Sequence, residues 1–182
     1  YFHWATMRLV RIAHTITSSS KNQCQQVQTR FPHKKVVFHE FPSLVTQRIK
    51  QGTRTIPELK GIDNYILFFG TYTLYKGVDL LYQAFIRSGL QEKCQLVMAG
   101  AGRDFFSMDT SENRVIRINR FLDDEEIADL FKKARFVACP YIQVTQSGVI
   151  SIAHYFGKRV VASSLPFFVD NINENDRLFP SG

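Results

Sequence analysis

The sequence predicts an α/β protein built on a doubly wound parallel sheet. Short apolar runs at 64–70 (NYILFFG), 94–100 (CQLVMAG), 113–118 (NRVIRI), 134–140 (ARFVACP) and 158–163 (KRVVAS) alternate with helical patterns. Several of these runs are unbroken rather than alternating, as expected of strands covered on both faces. Glycine-containing turns follow three of them, at Gly70, at Gly100 and Gly102, and at Gly148.

From the start of the chain, TMRLVRIAHTIT (6–17) is expected as a strand. SSSKNQCQQVQTRF (18–31) reads as a helix opened by a hydroxyl cap, and KKVVFHEF (34–41) as a second strand. Residues 42–62 carry two prolines and two glycines without a clean apolar period, and read as a linker or crossover. After Asp63 the regular alternation begins. KGVDLLYQAFIRSG (76–89) is a helix stopped by Gly89, and DDEEIADLFKKA (123–134) is another. In the latter, Asp123 and Glu126 have capping-box spacing, and Lys132 and Lys133 complement the dipole at the far end. Ile127, Leu130, Phe131 and Ala134 form its buried face. SGVISIAHYF (147–156) turns Val149, Ile152, Ala153 and Phe156 inward, with Gly157 as its stop.

Composition limits the possible functions. The 182 residues are 45% hydrophobic and 21% charged, which is ordinary for a globular chain. No apolar run approaches the roughly 20 residues of a membrane span, and no signal peptide is evident. The chain opens on Tyr1 and closes on Gly182 after RLFPS, as expected of a piece of a longer protein. Cys24, Cys94 and Cys139 are odd in number and far apart, which favours buried free thiols in a reducing compartment. The net charge of +7 is concentrated in residues 1–62, where ten Lys or Arg face only Glu40 and Glu58. A solvated face explains this, and so does an anionic membrane surface.

No dinucleotide fingerprint and no P-loop is present, which argues against oxidoreductases and ordinary NTPases. The five histidines have no metal-ligand spacing; His39 and His154 read as structural or surface residues. The 16 Phe and 7 Tyr follow core periodicity, against a nucleic-acid platform.

In doubly wound sheets, ligands bind beyond the carboxyl ends of the strands. Gly70 lets the chain leave its strand tightly, with Lys76 at the start of the next helix. Gly102 and Arg103 combine a permissive backbone with a cation. In the turn TQSGV (145–149), Thr145 or Ser147 is expected to cap the helix, leaving the amides of Ser147, Gly148 and Val149 pointing beyond its N-terminus. Gly148 would let a ligand reach the backbone. Each turn alone could be only a cap; together on one sheet edge they suit a phosphate, with Lys76 supplying charge.

At these turns the sequence resembles the C-terminal, donor-binding half of a family 4 glycosyltransferase, the retaining group with two Rossmann-like domains (GT-B). ILFFGTYTLYKGVDLLYQAF is similar to that family's strand, Gly-Arg turn, Lys-Gly and helix. QLVMAGAGRD resembles its LVIAGDGP element, and the run from FLDDEEIADLF through TQSG to GKRVVAS resembles its stretch from deel to GKPVVAT. The resemblance implies the end of an N-terminal domain over 1–41, a linker over 42–62 and a nucleotide-sugar domain over 63–182. It implies donor binding by Gly70, Thr71, Lys76, Arg103, Arg120, Phe121, Leu122, Gln146, Ser147, Gly148 and Val149, with Lys76 as the catalytic cation. It further implies transfer to a glycan or lipid-linked acceptor in polysaccharide biosynthesis, and a cytoplasmic protein peripheral at the inner face of the membrane.

The family's Arg after the first Gly is Thr71 here, and its paired Glu residues are absent, as in a branch carrying TQSG. With no Asp-x-Asp pair, neither a metal nor another cofactor is expected. A sugar-nucleotide epimerase of the same architecture, and a non-catalytic binding or membrane-docking domain, are the alternatives.

Overall fold

The computed structural model describes residues 2–103, 105–109 and 112–180. Tyr1, Asp104 of the glycine-rich turn and the closing Gly182 lie outside the described residues. The chain forms two compact units, Tyr1–Pro42 and Ser43–Gly182.

The first unit holds α1 (Phe2–Ile12), β1 (Thr15–Ser18), α2 (Lys21–Arg30) and β2 (Lys35–Phe38). The strands pair in parallel from Thr15 opposite Lys35 to Ser18 opposite Phe38. Ser20 caps α2, its side chain accepting from the Gln23 amide. The strand expected over 6–17 is a helix as far as Ile12, and only Thr15–Ser18 is extended. The reason is visible in the burial: Met7, Val10 and Ala13 are half-buried while Arg8, Leu9, Arg11 and Ile12 are exposed, a three-residue period that only a helix satisfies. Lys34 donates to the Ala13 carbonyl at 2.8 Å, just beyond the end of α1.

In the second unit, residues 43–62, from the segment read as a linker or crossover, contain short elements of their own. They hold α3 (Gln47–Gln51), capped by Thr46, and a 3₁₀ turn at Pro57–Leu59. Ile49, Ile56 and Leu59 are buried. The helix is too short to display a period, and its apolar neighbours are separated by Gly52 and Pro57, so the segment looks unpatterned in sequence.

The elements that follow are β3 (Tyr65–Phe69), α4 (Val78–Arg87), β4 (Leu96–Ala99), β5 (Val115–Ile118), α5 (Asp124–Lys133), β6 (Ala134–Cys139), α6 (Val149–Tyr155) and β7 (Arg159–Ser163). The chain then adds α7 (Pro166–Asn171) and β8 (Arg177–Phe179), which the sequence patterns do not announce. All six strands are parallel, in the order β5-β4-β3-β6-β7-β8. Succession runs outward from β3 to β5 and then crosses back to β6 on the other side of β3. The carboxyl ends of β3 and β6 therefore flank the topological switch point, where such sheets open a crevice.

Unbroken apolar strands make the core: Tyr65, Leu67, Phe68, Leu96, Met98 and Ile118 are fully buried, as are Leu130 and Phe131 of α5, with the Tyr65 hydroxyl donating to the Leu130 carbonyl. The α5 capping box is present in full, Asp123 accepting from the Glu126 amide and Glu126 from the Asp123 amide. Of the thiols expected to be buried, only Cys139 is; Cys24 and Cys94 are part-exposed. His154 is structural: its Nε2 lies 2.8 Å from Oδ2 of buried Asp176, which also accepts from the Asn173 and Val160 amides and so joins α6 to β7. Among the described residues no helix is long and apolar enough to cross a membrane.

Candidate functional site

The turn after β3 is shaped by glycine. Gly70 has φ 144°, open to few other residues, and a Cβ there would stand 2.6 Å from the Lys76 ammonium. Its amide donates to the Ala99 carbonyl, and the Tyr72 amide to that of Ala101, so the turns after β3 and β4 run side by side. Lys76 closes a 3₁₀ turn, Leu74–Lys76, ahead of α4.

The Lys76 side chain is half-buried. Among the described residues no carboxylate pairs with it. Its ammonium lies 5.5 Å from the centroid of the Tyr141 ring. Burial lowers its pKa below the ordinary lysine range, and neighbouring Cys139 acts weakly in the opposite direction. This charge carries a desolvation cost that an arriving anion would offset.

The turn after β6 meets it. The Ile142 amide donates to the Tyr75 carbonyl at 2.7 Å, fastening the two turns together. Tyr141 is buried, with its hydroxyl 3.4 Å from Ser147 Oγ, its carbonyl accepting from Ser163 Oγ at 2.6 Å, and its ring edge-on to Phe168. Sequence reasoning missed Tyr141. The available signal was a large residue with a polar tip directly after a strand on the ligand-binding edge, which requires a buried partner for its hydroxyl.

Two expectations for the start of α6 are corrected. Neither Thr145 nor Ser147 caps the helix; Gly148 is the N-cap and no side chain takes that role. Ser147 is instead turned inward to Tyr141. Nor does Gly148 leave open space for a ligand: a Cβ there would collide with Leu44, whose side chain fills the position. The Leu44 amide donates to Ser151 Oγ, which itself donates to the Gly148 carbonyl. Even so, no acceptor among the described residues takes the amides of Gln146, Ser147, Gly148 or Val149.

The structure thus gathers Gly70, Lys76 and the Gln146–Val149 backbone around Tyr141 at the switch point. Thr71 and Arg103 are exposed on the turns after β3 and β4. The Arg120 guanidinium is occupied elsewhere, by Glu126 at 2.8 Å and Glu58 at 3.0 Å, which raises its pKa and lowers that of Glu58. Beside it, Phe121 is 88% exposed. No group of three or more His, Cys, Asp or Glu among the described residues could hold a metal ion.

Solved structures share this fold. Anabaena HepE, in complex with UDP and glucose, superposes with a TM-score of 0.69 at 18% identity, over 99% of this chain and 53% of that one. Sucrose-phosphate synthase from Thermosynechococcus elongatus gives 0.69 at 17% identity, over 96% of this chain and 47% of its own. A UDP-forming α,α-trehalose-phosphate synthase from Burkholderia vietnamiensis gives 0.72 at 10% identity, over 92% and 48%. The chain spans about half the length of these proteins. No curated protein sequence matches it. The sequence model of one family, described as glycosyl transferases group 1, matches residues 63–182. That match covers the entire parallel sheet and every turn at its carboxyl edge, and the chain belongs to the glycosyl transferases group 1 family.

Proposed function

We propose that the protein is a retaining glycosyltransferase of the family 4 type, in the branch carrying TQSG, and that this chain holds the nucleotide-diphosphate sugar. The observation that carries this is Lys76: a half-buried ammonium without a carboxylate partner among the described residues, beside uncommitted backbone amides at the switch point of the sheet. HepE structures with UDP and with UDP-glucose support a ligand of this class. As the sugar leaves, negative charge grows on the diphosphate. Lys76 and the amides of Gln146–Val149 stabilise it there as fixed donors that need no reorganisation. Neither a metal nor another cofactor enters this scheme. Gly70 keeps the approach to the ammonium clear, and Thr71, Arg103 and the Arg120–Leu122 backbone border the sugar and base. The acceptor is a glycan or a lipid-linked glycan.

The test is a thermal-shift series with UDP, GDP and their sugars. By linkage, a hundredfold excess over the dissociation constant stabilises by about 2.7 kcal/mol, and chelator leaves the shift intact. No shift with any nucleoside diphosphate at millimolar concentration overturns the reading. Transfer by the complete protein separates an enzyme from a binding module, and interconversion of the donor without transfer identifies an epimerase.

The first unit supports a second proposal, docking on anionic lipid at the cytoplasmic face of a membrane. Leu9 and Ile12 of α1 are 62% and 74% exposed beside Arg8 and Arg11. The basic segment 1–62 is divided by the fold, however. Arg48 and Arg54 belong to the second unit and face Asp123 and Glu125 on α5, leaving Arg8, Arg11, Lys21, Arg30, Lys34 and Lys35 to the first.

A further inference from the structure

We infer that Tyr141 positions Lys76 for its anionic ligand, its ring face serving at the switch point where a carboxylate serves beside four other cations of this unit. The inference rests on the reading of Lys76 as the diphosphate cation. Arg48, Arg54, Arg120 and Lys133 each meet an Asp or Glu. Lys76 meets an aromatic ring at 5.5 Å, as Lys50, Arg117 and Lys132 do at 5.9, 5.3 and 6.0 Å, but Lys76 does so at the switch point. The difference has a chemical consequence. A carboxylate would neutralise the ammonium and compete with a diphosphate for it, whereas a π-face attracts the cation through its quadrupole and leaves the charge uncompensated.

The ring is well placed for this because it cannot turn away. Phe168 packs edge-on to it at 5.3 Å, Ser163 holds its carbonyl, and Ser147 lies at its hydroxyl. A lysine has a long flexible stem and would extend to solvent if nothing inside attracted its head. Here the ammonium stays at Gly70, where a Cβ would stand within 2.6 Å of it. Ring, ammonium and glycine together make a pre-ordered cation at the switch point, and the Ser147 contact links that ring to the loop carrying the uncommitted amides.

The experiment replaces Tyr141 in the full chain by phenylalanine and by its mono-, di- and trifluorinated analogues. These withdraw π density with little change of volume, so the buried site stays filled. The probe is UDP or GDP, whichever raises the parent's melting temperature. Affinity is measured by calorimetry in the parent and in a Lys76→Ala background, together with the rate at which an amine acylating reagent labels Lys76 in the unliganded protein. Tyr141→Phe is expected to stay within about twofold of the parent, with stepwise weakening to about tenfold at three fluorines. In the Lys76→Ala background the series is flat, since the coupled partner is gone. Labelling of Lys76 accelerates along the series, because a poorer π-face favours the neutral amine. Equal affinity across the series in a parent that binds the nucleotide, unchanged labelling, or the same weakening without Lys76 each overturn the inference alone. A parent that binds neither nucleotide overturns the donor reading and this inference with it.

Discussion

The Leu44 side chain fills the space that a side chain on Gly148 would need, and its amide is bound to Ser151 on the first turn of α6. The glycine at the start of α6 therefore admits part of the chain's own backbone strap. Gly148→Ala is expected to push Leu44 outward and to destabilise by about 1 kcal/mol, at the low end of overpacking costs because Leu44 is half-exposed and can move. Leu44→Ala in the same chain should recover most of that loss. Urea denaturation of the two single variants and the double variant measures it; additive losses would show that the two residues do not share the space.

Lys76→Ala is expected to weaken UDP or GDP binding by about 1.5 to 3 kcal/mol, the range for charge-assisted hydrogen bonds, with little change in melting temperature. Lys93, exposed on a different turn, is the control. Equal affinity in parent and variant would reduce Lys76 to a structural lysine.

The pH dependence follows from the same group. Lys76 binds phosphate only when protonated, and burial places its pKa in the free protein below the ordinary value. An anion raises that pKa again, so binding takes up a proton in the window between the two. Above about pH 8, where a terminal phosphate with a second pKa of about 6 is already ionised, affinity should fall as pH rises. The Lys76→Ala variant should be flat there. For stability the sign is opposite: the free protein loses the cost of a buried charge as pH rises through the lowered pKa, so this group contributes increasing stability. Calorimetry between pH 7 and pH 10 tests the binding slope.

Asp176→Ala should be among the more costly single changes. The carboxylate is buried and accepts from the Val160 and Asn173 amides at 2.7 and 2.8 Å, with His154 Nε2 also at 2.8 Å. Removing it leaves buried donors unpaired, for a loss of about 3 kcal/mol. Asp176→Asn, which keeps one accepting oxygen, should lose less. Denaturant midpoints rank the pair, and equal losses would point to charge rather than hydrogen bonding.

Docking through the first unit predicts sedimentation with vesicles containing anionic lipid and not with neutral ones. Because the attraction is electrostatic, it should fade as salt shortens the Debye length from about 10 Å at 0.1 M to about 3 Å at 1 M. Binding to both lipids alike, or to neither, removes the proposal. Tighter binding to nucleic acid than to anionic vesicles would replace it.

From Asp63 to Ser163 the sequence by itself determined the order of strands and helices, because unbroken apolar runs and three-four spacing record which faces are buried, and burial is what holds these elements; α7 and β8 beyond it are too short to show either pattern. It also located the three turns, since glycine after a strand marks a backbone that must bend sharply. It did not determine the start of the chain, where an apolar-basic mixture fits either period and only the packed faces of Met7, Val10 and Ala13 select a helix. The tertiary structure alone decided the partners of the site residues. Arg120 is drawn to Glu58 and Glu126, which lie 62 positions before it and 6 after it, and Leu44 reaches Ser151 across 107 positions. Lys76 and Tyr141 meet because β3 and β6 are neighbours in the sheet. Propensity and spacing are local quantities, whereas the position of a charge is fixed by which distant groups compete for it.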